Sequence, residues 1–218
     1  EIERYFKAAL FDLDGVVFDT EPQYTIFWRQ EGRRYHPEIV DLEFRIKGQT
    51  LTQIYDGFFA DVKDEQPLIT QRLDEYEQNM QYLYVAGIKD FILQLRKENI
   101  KTAIVTSSNM PKMRKVYHQH PELQLLFDAV FTSEDFRESK PSPDCYLSAM
   151  RRLEVKPEEC VIFEDSFNGL KSGRASGAAV VALSTSNAEE TLQPLSDRVI
   201  SDFTTFTVAD AIKLTHSK

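Results

Sequence analysis

Ala8-Ala9-Leu10-Phe11-Asp12-Leu13-Asp14-Gly15 reads as a short apolar strand that runs out into two acidic side chains and a glycine. Three other stretches have related character. Ala103-Ile104-Val105 leads into Thr106-Ser107-Ser108, Val161-Ile162-Phe163 leads into Glu164-Asp165, and Lys140 stands in Ser139-Lys140-Pro141. In an open parallel sheet with helices on its faces, ligands bind beyond the carboxyl ends of the strands, so residues there converge even when distant in sequence. The four stretches together outline one active site.

The rest of the chain supports such a sheet. From about Lys89 onward, helical periodicity over Asp90 to Lys97, 111–118, 143–153 and 167–176 alternates with apolar strands at 102–105, 129–132, 160–163 and 179–183. Gly177 is a good helix stop. Strand, helix, strand order implies parallel pairing with right-handed crossovers. Between Val17 and about Ala86 the strand signal disappears, and Pro22 to Arg33, Pro37 to Ile46, Leu51 to Ala60 and Pro67 to Leu83 read as helices. The expected fold is α/β: a Rossmann-like core of residues 1–16 and 87–218 with helices on both faces of its sheet, and a small helical cap of residues 17–86 inserted after the first strand. A cap hinged there can cover the site and exclude water.

The 218 residues, 42% of them hydrophobic, suffice for one full core and a small second module. A formal net charge of -9 excludes a broad basic surface for nucleic acid or an anionic membrane. A small anionic substrate remains compatible, because local cations overrule net charge. No apolar run approaches the ~20 residues that span a bilayer, so neither a nucleic-acid nor a membrane partner is expected, and a cytoplasmic monomer is the default. Cys145 and Cys160 fit neither a disulfide framework nor a zinc spacing and read as buried thiols.

The chemistry follows from the polar residues. Past the strand end Gly15 lets the chain turn, so Asp12 and Asp14 can approach one point. Asp12 could attack phosphorus while Asp14 protonates the leaving oxygen and later takes a proton from water. An isolated Asp-x-Asp-Gly is more often a solvated turn; the strand before it and the three other stretches change that balance. An anionic nucleophile meets an anionic phosphate only if cations screen the repulsion. Asp165, with Glu164 beside it and Asp12, suits Mg²⁺, a hard ion that takes oxygen ligands, and Lys140 could supply a fixed positive charge. Thr106 and Ser107, at the head of a helix, could cradle a phosphate, with helix capping as the ordinary alternative for this loop. Gly169 and Gly173, inside a helix at about 1 kcal/mol each relative to alanine, point to close packing against the sheet.

The stretches Phe11 to Thr20, Thr106-Ser107-Ser108, Lys140-Pro141-Ser142-Pro143-Asp144 and Phe163-Glu164-Asp165-Ser166 resemble, in order, the four motifs of the haloacid dehalogenase superfamily. With its insert after motif one, the chain is similar to the helical-cap branch that contains β-phosphoglucomutase and sugar phosphate phosphatases. The resemblance implies Asp12 as nucleophile, Asp14 as acid/base, Thr106 and Lys140 as phosphate binders with Ser107 beside them, and Asp165 as magnesium ligand assisted by Glu164. Asp12, Asp14, Glu164 and Asp165 are thus the expected metal-site residues and Mg²⁺ the expected cofactor.

Within that branch, positions that grip a second phosphate in the mutase fall here at Tyr24, near Leu51, and at Asn109 and Met110. Hydrolysis of a small phosphorylated metabolite, such as a sugar phosphate, through an aspartyl phosphate is therefore expected. A mutase is the alternative, with Lys47 or Arg45 replacing the lost arginine, and a catalytically silent binding protein ranks below both. Glu21, Tyr24, Arg45 and Lys47 are the expected substrate readers of the cap, with Trp28 and Gln49 nearby.

Overall fold

The computed structural model describes residues 5–216, so the outermost residues of the expected core, 1–4 and 217–218, lie outside it. Six strands form one parallel sheet: β1 (Ala8–Phe11), β2 (Lys101–Val105), β3 (Ala129–Phe131), β4 (Cys160–Glu164), β5 (Ala179–Leu183) and β6 (Arg198–Ile200), in the order β3-β2-β1-β4-β5-β6. The order reverses at β1, which lies between β2 and β4, and a ligand crevice forms at such a switch point. The central strands are buried on both faces and read as continuous apolar runs.

Period-two alternation sorts each strand between two cores. Ala9, Phe11, Ile104, Val161, Phe163 and Val181 face one side, where they pack against helices at Ile88–Lys97, Met110–Gln119 and Val208–His216. Ala8, Leu10, Ala103, Val105, Ile162, Val180 and Ala182 face the other, under helices at Asp144–Leu153 and Phe167–Ala175. Phe11 and Phe163, paired across β1 and β4, stack at 4.6 Å.

Between β1 and β2 the chain forms α1 (Glu21–Tyr35), α2 (Leu42–Arg45), α3 (Leu51–Phe58) and α4 (Gln66–Asn79). These share their own apolar cluster of Phe27, Trp28, Leu42, Ile46, Ile54, Phe59, Ile69 and Leu73. The two connections between insert and sheet run side by side: Asp19 N–H donates to the Leu83 carbonyl at 2.8 Å and Val85 N–H to the Val17 carbonyl at 2.9 Å.

Several expected elements are corrected by local physics. Pro37 to Ile46 is not one helix; Asp41 adopts φ 59°, a left-handed conformation no helix interior accepts, and only Leu42–Arg45 is helical. The helix expected to reach Leu83 stops at Asn79, because Met80 turns extended (ψ 149°) and begins the return connection. The short β6 and the C-terminal helix Val208–His216 were not anticipated from the sequence. Cys145 and Cys160 are both buried and free, as expected, and burial pushes the Cys160 thiol up to about 12. No helix among the described residues is long and apolar enough to cross a membrane.

Candidate active site

Sheet register sets the site. Phe11 of β1 pairs with Ile104 and Phe163, so one residue further on Asp12 lies level with Val105 and Glu164, and its N–H donates to the Phe163 carbonyl at 3.0 Å. Lys140 reaches this point from the loop after β3. Its Nζ donates to Asp12 Oδ1 at 3.1 Å, the Val105 carbonyl at 3.1 Å and Glu164 Oε1 at 2.5 Å, with the side chain 1% exposed. Burial alone would lower the Lys140 ammonium, but Asp12 and Glu164 outweigh it and hold the group above its ordinary value.

Asp12, Glu164 and Asp165 each offer an oxygen within 4.8 Å of the others. Burial and the neighbouring carboxylates make weaker acids of two of the three. Burial and then Asp12 raise the Glu164 carboxyl to about 8 against the pull of Lys140, and burial with Glu21, Asp12 and Glu164 raises Asp165 well above the carboxylate range. Glu164 Oε1 also accepts from the Tyr146 hydroxyl at 2.5 Å, yet Oε2 is buried without a hydrogen-bond partner. A site with surplus negative charge and an orphaned carboxylate oxygen fits a hard divalent cation. The backbone leaves room for these carboxylates: a Cβ on Gly15 (φ +81°) would overlap Asp165 Oδ2, and one on Gly169 would overlap the Glu164 carboxylate. Gly173, by contrast, packs on Ile162 and Val180 of the sheet, as the sequence suggests.

Asp14 is outside this cluster. Its Oδ1 accepts from the Thr20 hydroxyl at 2.5 Å, while Oδ2 is ion-paired to Lys112 and lies 3.5 Å from Ser108 Oγ. The expected metal set of Asp12, Asp14, Glu164 and Asp165 therefore gathers three carboxylates, with Asp14 held apart by a hydroxyl and a lysine. Two carboxylates two residues apart thus occupy different environments, Asp12 beside Lys140 and Asp14 beside Thr20 and Lys112.

Thr106 is buried at the end of β2 and its Oγ1 accepts the Ser108 N–H at 3.0 Å. Ser107 Oγ is buried and unpartnered. Both border a cavity of about 490 Å³ roofed by the helical insert and floored by Asp12, Asp14, Lys140 and Asp165. The roof rests on the floor at several points. Gln53 Nε2 donates to the Lys140 carbonyl at 3.2 Å, and Gly48 (φ +77°) lies where a Cβ would overlap Ser166 Oγ.

Of the expected substrate readers, Glu21, Tyr24 and Lys47 border the cavity, as do Trp28 and Gln49. Arg45 does not; on the exposed side of α2 its guanidinium lies 5.4 Å from the Phe58 ring centroid. Lys47 sits 3.9 Å from Glu21 Oε2. Burial, Asp14 and Asp12 outweigh that lysine and raise the Glu21 carboxyl to about 7.

The structure adds residues that sequence reasoning missed. Ser186 Oγ donates to Asp165 Oδ2 at 2.8 Å and Asn187 Nδ2 to the Asp165 carbonyl at 3.1 Å, both from the loop after β5. Lys112, on Asp14, comes from the first turn of the helix Met110–Gln119, capped by the Asn109 side chain. The available signal was position: a helix that follows β2 begins beside the site, so its first turn faces it.

Residues 6–177 match the model of the haloacid dehalogenase-like hydrolases, most of the chain. It belongs to that family. The enzyme is 34% identical over 184 residues to hexitol phosphatase A of Escherichia coli, covering 81% of this chain and 82% of that protein. It is 28% identical over 193 residues to the β-phosphoglucomutase of Bacillus subtilis, covering 81% and 83%. Among solved structures, a HAD hydrolase of family IA, variant 3, from Entamoeba histolytica superposes with a TM-score of 0.83 at 22% identity over 97% of this chain and all of that one, a likeness of fold.

Proposed function

We propose that the enzyme is a Mg²⁺-dependent phosphatase of a small phosphorylated metabolite, a sugar or polyol phosphate, acting through an aspartyl phosphate on Asp12. The observation that carries this reading is the separation of Asp12, paired with Lys140, from Asp14, paired with Thr20 and Lys112. An Asp12 oxygen bonds to phosphorus as the ester P–O bond breaks, and the Asp14 carboxyl gives its proton to the leaving oxygen. Asp14, now a carboxylate, takes a proton from the water that attacks the acyl phosphate, releasing inorganic phosphate and free Asp12. Lys140 holds positive charge against the nucleophile and the phosphoryl oxygens throughout. Thr106 and Ser107 bind phosphoryl oxygens, the latter with its unpartnered hydroxyl. Asp12, Glu164 and Asp165 would hold Mg²⁺, which supplies charge neutralisation at the phosphoryl group when bound.

Residues 17–86 act as the cap, and Glu21, Tyr24 and Lys47, on its underside, read the substrate. Hydrolysis is favoured over mutase chemistry by Lys47. A second phosphate needs cations in the roof, and this one is paired with Glu21.

The test is incubation with Mg²⁺ and a panel of phosphate esters, including β-glucose 1-phosphate with a trace of the 1,6-bisphosphate, measuring inorganic phosphate and glucose 6-phosphate separately. Phosphate release without isomerisation is expected. Glucose 6-phosphate formed without phosphate release would replace this reading with a mutase.

A further inference from the structure

We propose that Lys112 is a positioning residue for the proton-transfer step: it fixes the Asp14 carboxyl group where the leaving oxygen departs. The inference rests on the reading of Asp14 as acid/base given above. Lys112 is a second buried lysine in the site, with its side chain 6% exposed, and pairs with Asp14 where Lys140 pairs with Asp12 and Glu164. Its ammonium is paired with Asp14 Oδ2 and sits 4.6 Å over the Tyr24 ring. A lysine on so short a tether has little freedom: its own backbone N–H is held by Asn109 at 3.1 Å, and the ring forms one wall for the charge.

The ring is itself fixed from the roof. The Tyr24 hydroxyl donates to Glu77 Oε2 at 2.6 Å, and Glu77 lies 3.7 Å from Lys115, one turn further along the same helix as Lys112. Lys115 also contacts Asp74 at 3.2 Å. Asp14, Lys112, Tyr24 and Glu77 thus form a continuous chain from the floor of the cavity to α4 in its roof. With Thr20 on Oδ1 and Lys112 on Oδ2, the Asp14 carboxylate is clamped at both oxygens, leaving it little rotation about its side-chain bonds. Lys112 makes no hydrogen bond to Asp12, Thr106 or Ser107, which distinguishes it from a phosphate ligand such as Lys140.

The consequence is selective. A positioned acid matters for an ester whose leaving oxygen must be protonated, such as an alkyl phosphate, and little for p-nitrophenyl phosphate, whose leaving phenolate departs without a proton. Misplacing a reacting group by an ångström costs up to ~100-fold. Lys112→Met is therefore expected to lower kcat/KM for an alkyl phosphate by roughly 10–100-fold. For p-nitrophenyl phosphate the loss stays within a factor of about three, inhibition by inorganic phosphate is unchanged, and Lys112→Arg recovers most of the alkyl-ester rate.

In an Asp14→Asn background, adding Lys112→Met should change the alkyl-ester rate by less than about twofold, because the two act as one unit. Equal losses on both esters, a weakened phosphate inhibition, or losses that multiply in the double variant would each overturn the assignment. If Lys112→Met does not fold, Lys112→Gln gives the same readout. Asp14→Asn separates the two levels of the argument. If it loses alkyl-ester turnover selectively and Lys112→Met does not, the Lys112 inference alone falls; if Asp14→Asn shows no leaving-group selectivity, the acid role of Asp14 falls and this inference with it.

Discussion

Lys140→Met removes a buried cation while keeping the length of the side chain. The Lys140 ammonium is hydrogen-bonded to Asp12 and Glu164, whose side chains are 12% and 0% exposed, and to the Val105 carbonyl. Without it two buried carboxylates and a carbonyl each lose a donor, Glu164 keeping the Tyr146 hydroxyl. Breaking a buried pair by deleting one partner costs about 3–5 kcal/mol, which at ~2–4 °C per kcal/mol for a chain of this size lowers Tm by about 6–20 °C. The deficit depends on pH with a fixed sign. Glu164 already has its folded-state pKa raised from 4.5 to about 8, and losing the lysine moves it further up. A group raised in this way contributes stability that is complete below its unfolded pKa and is lost as pH rises through the folded value. Between pH 4.5 and about 8 Glu164 stays protonated in both folded proteins, so its part of the deficit is constant there and grows only as pH rises past about 8, where the parent's Glu164 ionises beside Lys140 and the variant's does not. Differential scanning calorimetry of both proteins in chelator from pH 6 to 10 measures it. A variant within about 1 °C of the parent at pH 9, or a deficit that shrinks as pH rises past 8, would refute the reasoning. Turnover is expected to fall by roughly 10²–10³, the cost of removing one preorganised stabilising charge.

Three further outcomes are expected. Mg²⁺ at a hundred times its Kd should stabilise the folded enzyme by about 2.7 kcal/mol, a rise in Tm of about 5–11 °C, and Asp165→Asn should abolish most of that rise in thermal melts. Gly169→Ala, which at an ordinary helix position would gain about 1 kcal/mol, should instead destabilise by about 1–3 kcal/mol, because its Cβ meets the Glu164 carboxylate; denaturant unfolding gives the sign. His36, hydrogen-bonded to Glu38 and Asp61, is raised above 6.5, chiefly by Glu38. Its contribution to stability is thus present below pH 6.5 and lost as pH rises through the folded value, and NMR titration should show a midpoint above 6.5 that falls in Asp61→Asn.

The parts of this enzyme legible in its sequence were those written as a one-dimensional pattern. Asp12, Thr106 and Glu164 each follow an apolar run, and the register of the parallel sheet converts that shared offset into a shared place. Lys140 was legible as an isolated cation beside proline, although its burial and three acceptors were not. Lys112 and Arg45 show where the pattern ends. Both are basic residues in helical text, yet one turns inward to Asp14 while the other lies outside against Phe58; the turn of each helix decides, and polarity does not encode it. The left-handed Asp41 interrupted a stretch whose periodicity promised a helix. The three residues of β6 are too few, and too exposed, for alternation to register. Ser186 and Asn187 sit on Asp165 from a loop whose composition is that of any surface turn.

The central claim is that phosphorus passes through Asp12. It is tested most directly by mixing the enzyme and Mg²⁺ with a ³²P-labelled ester, quenching in acid within the first turnovers, and mapping the protein-bound label. The account predicts an acid-stable, alkali-labile label on the peptide carrying Asp12, absent from Asp12→Asn together with turnover. Label on another residue, or an Asp12→Asn enzyme that turns over at the parent rate, would contradict it.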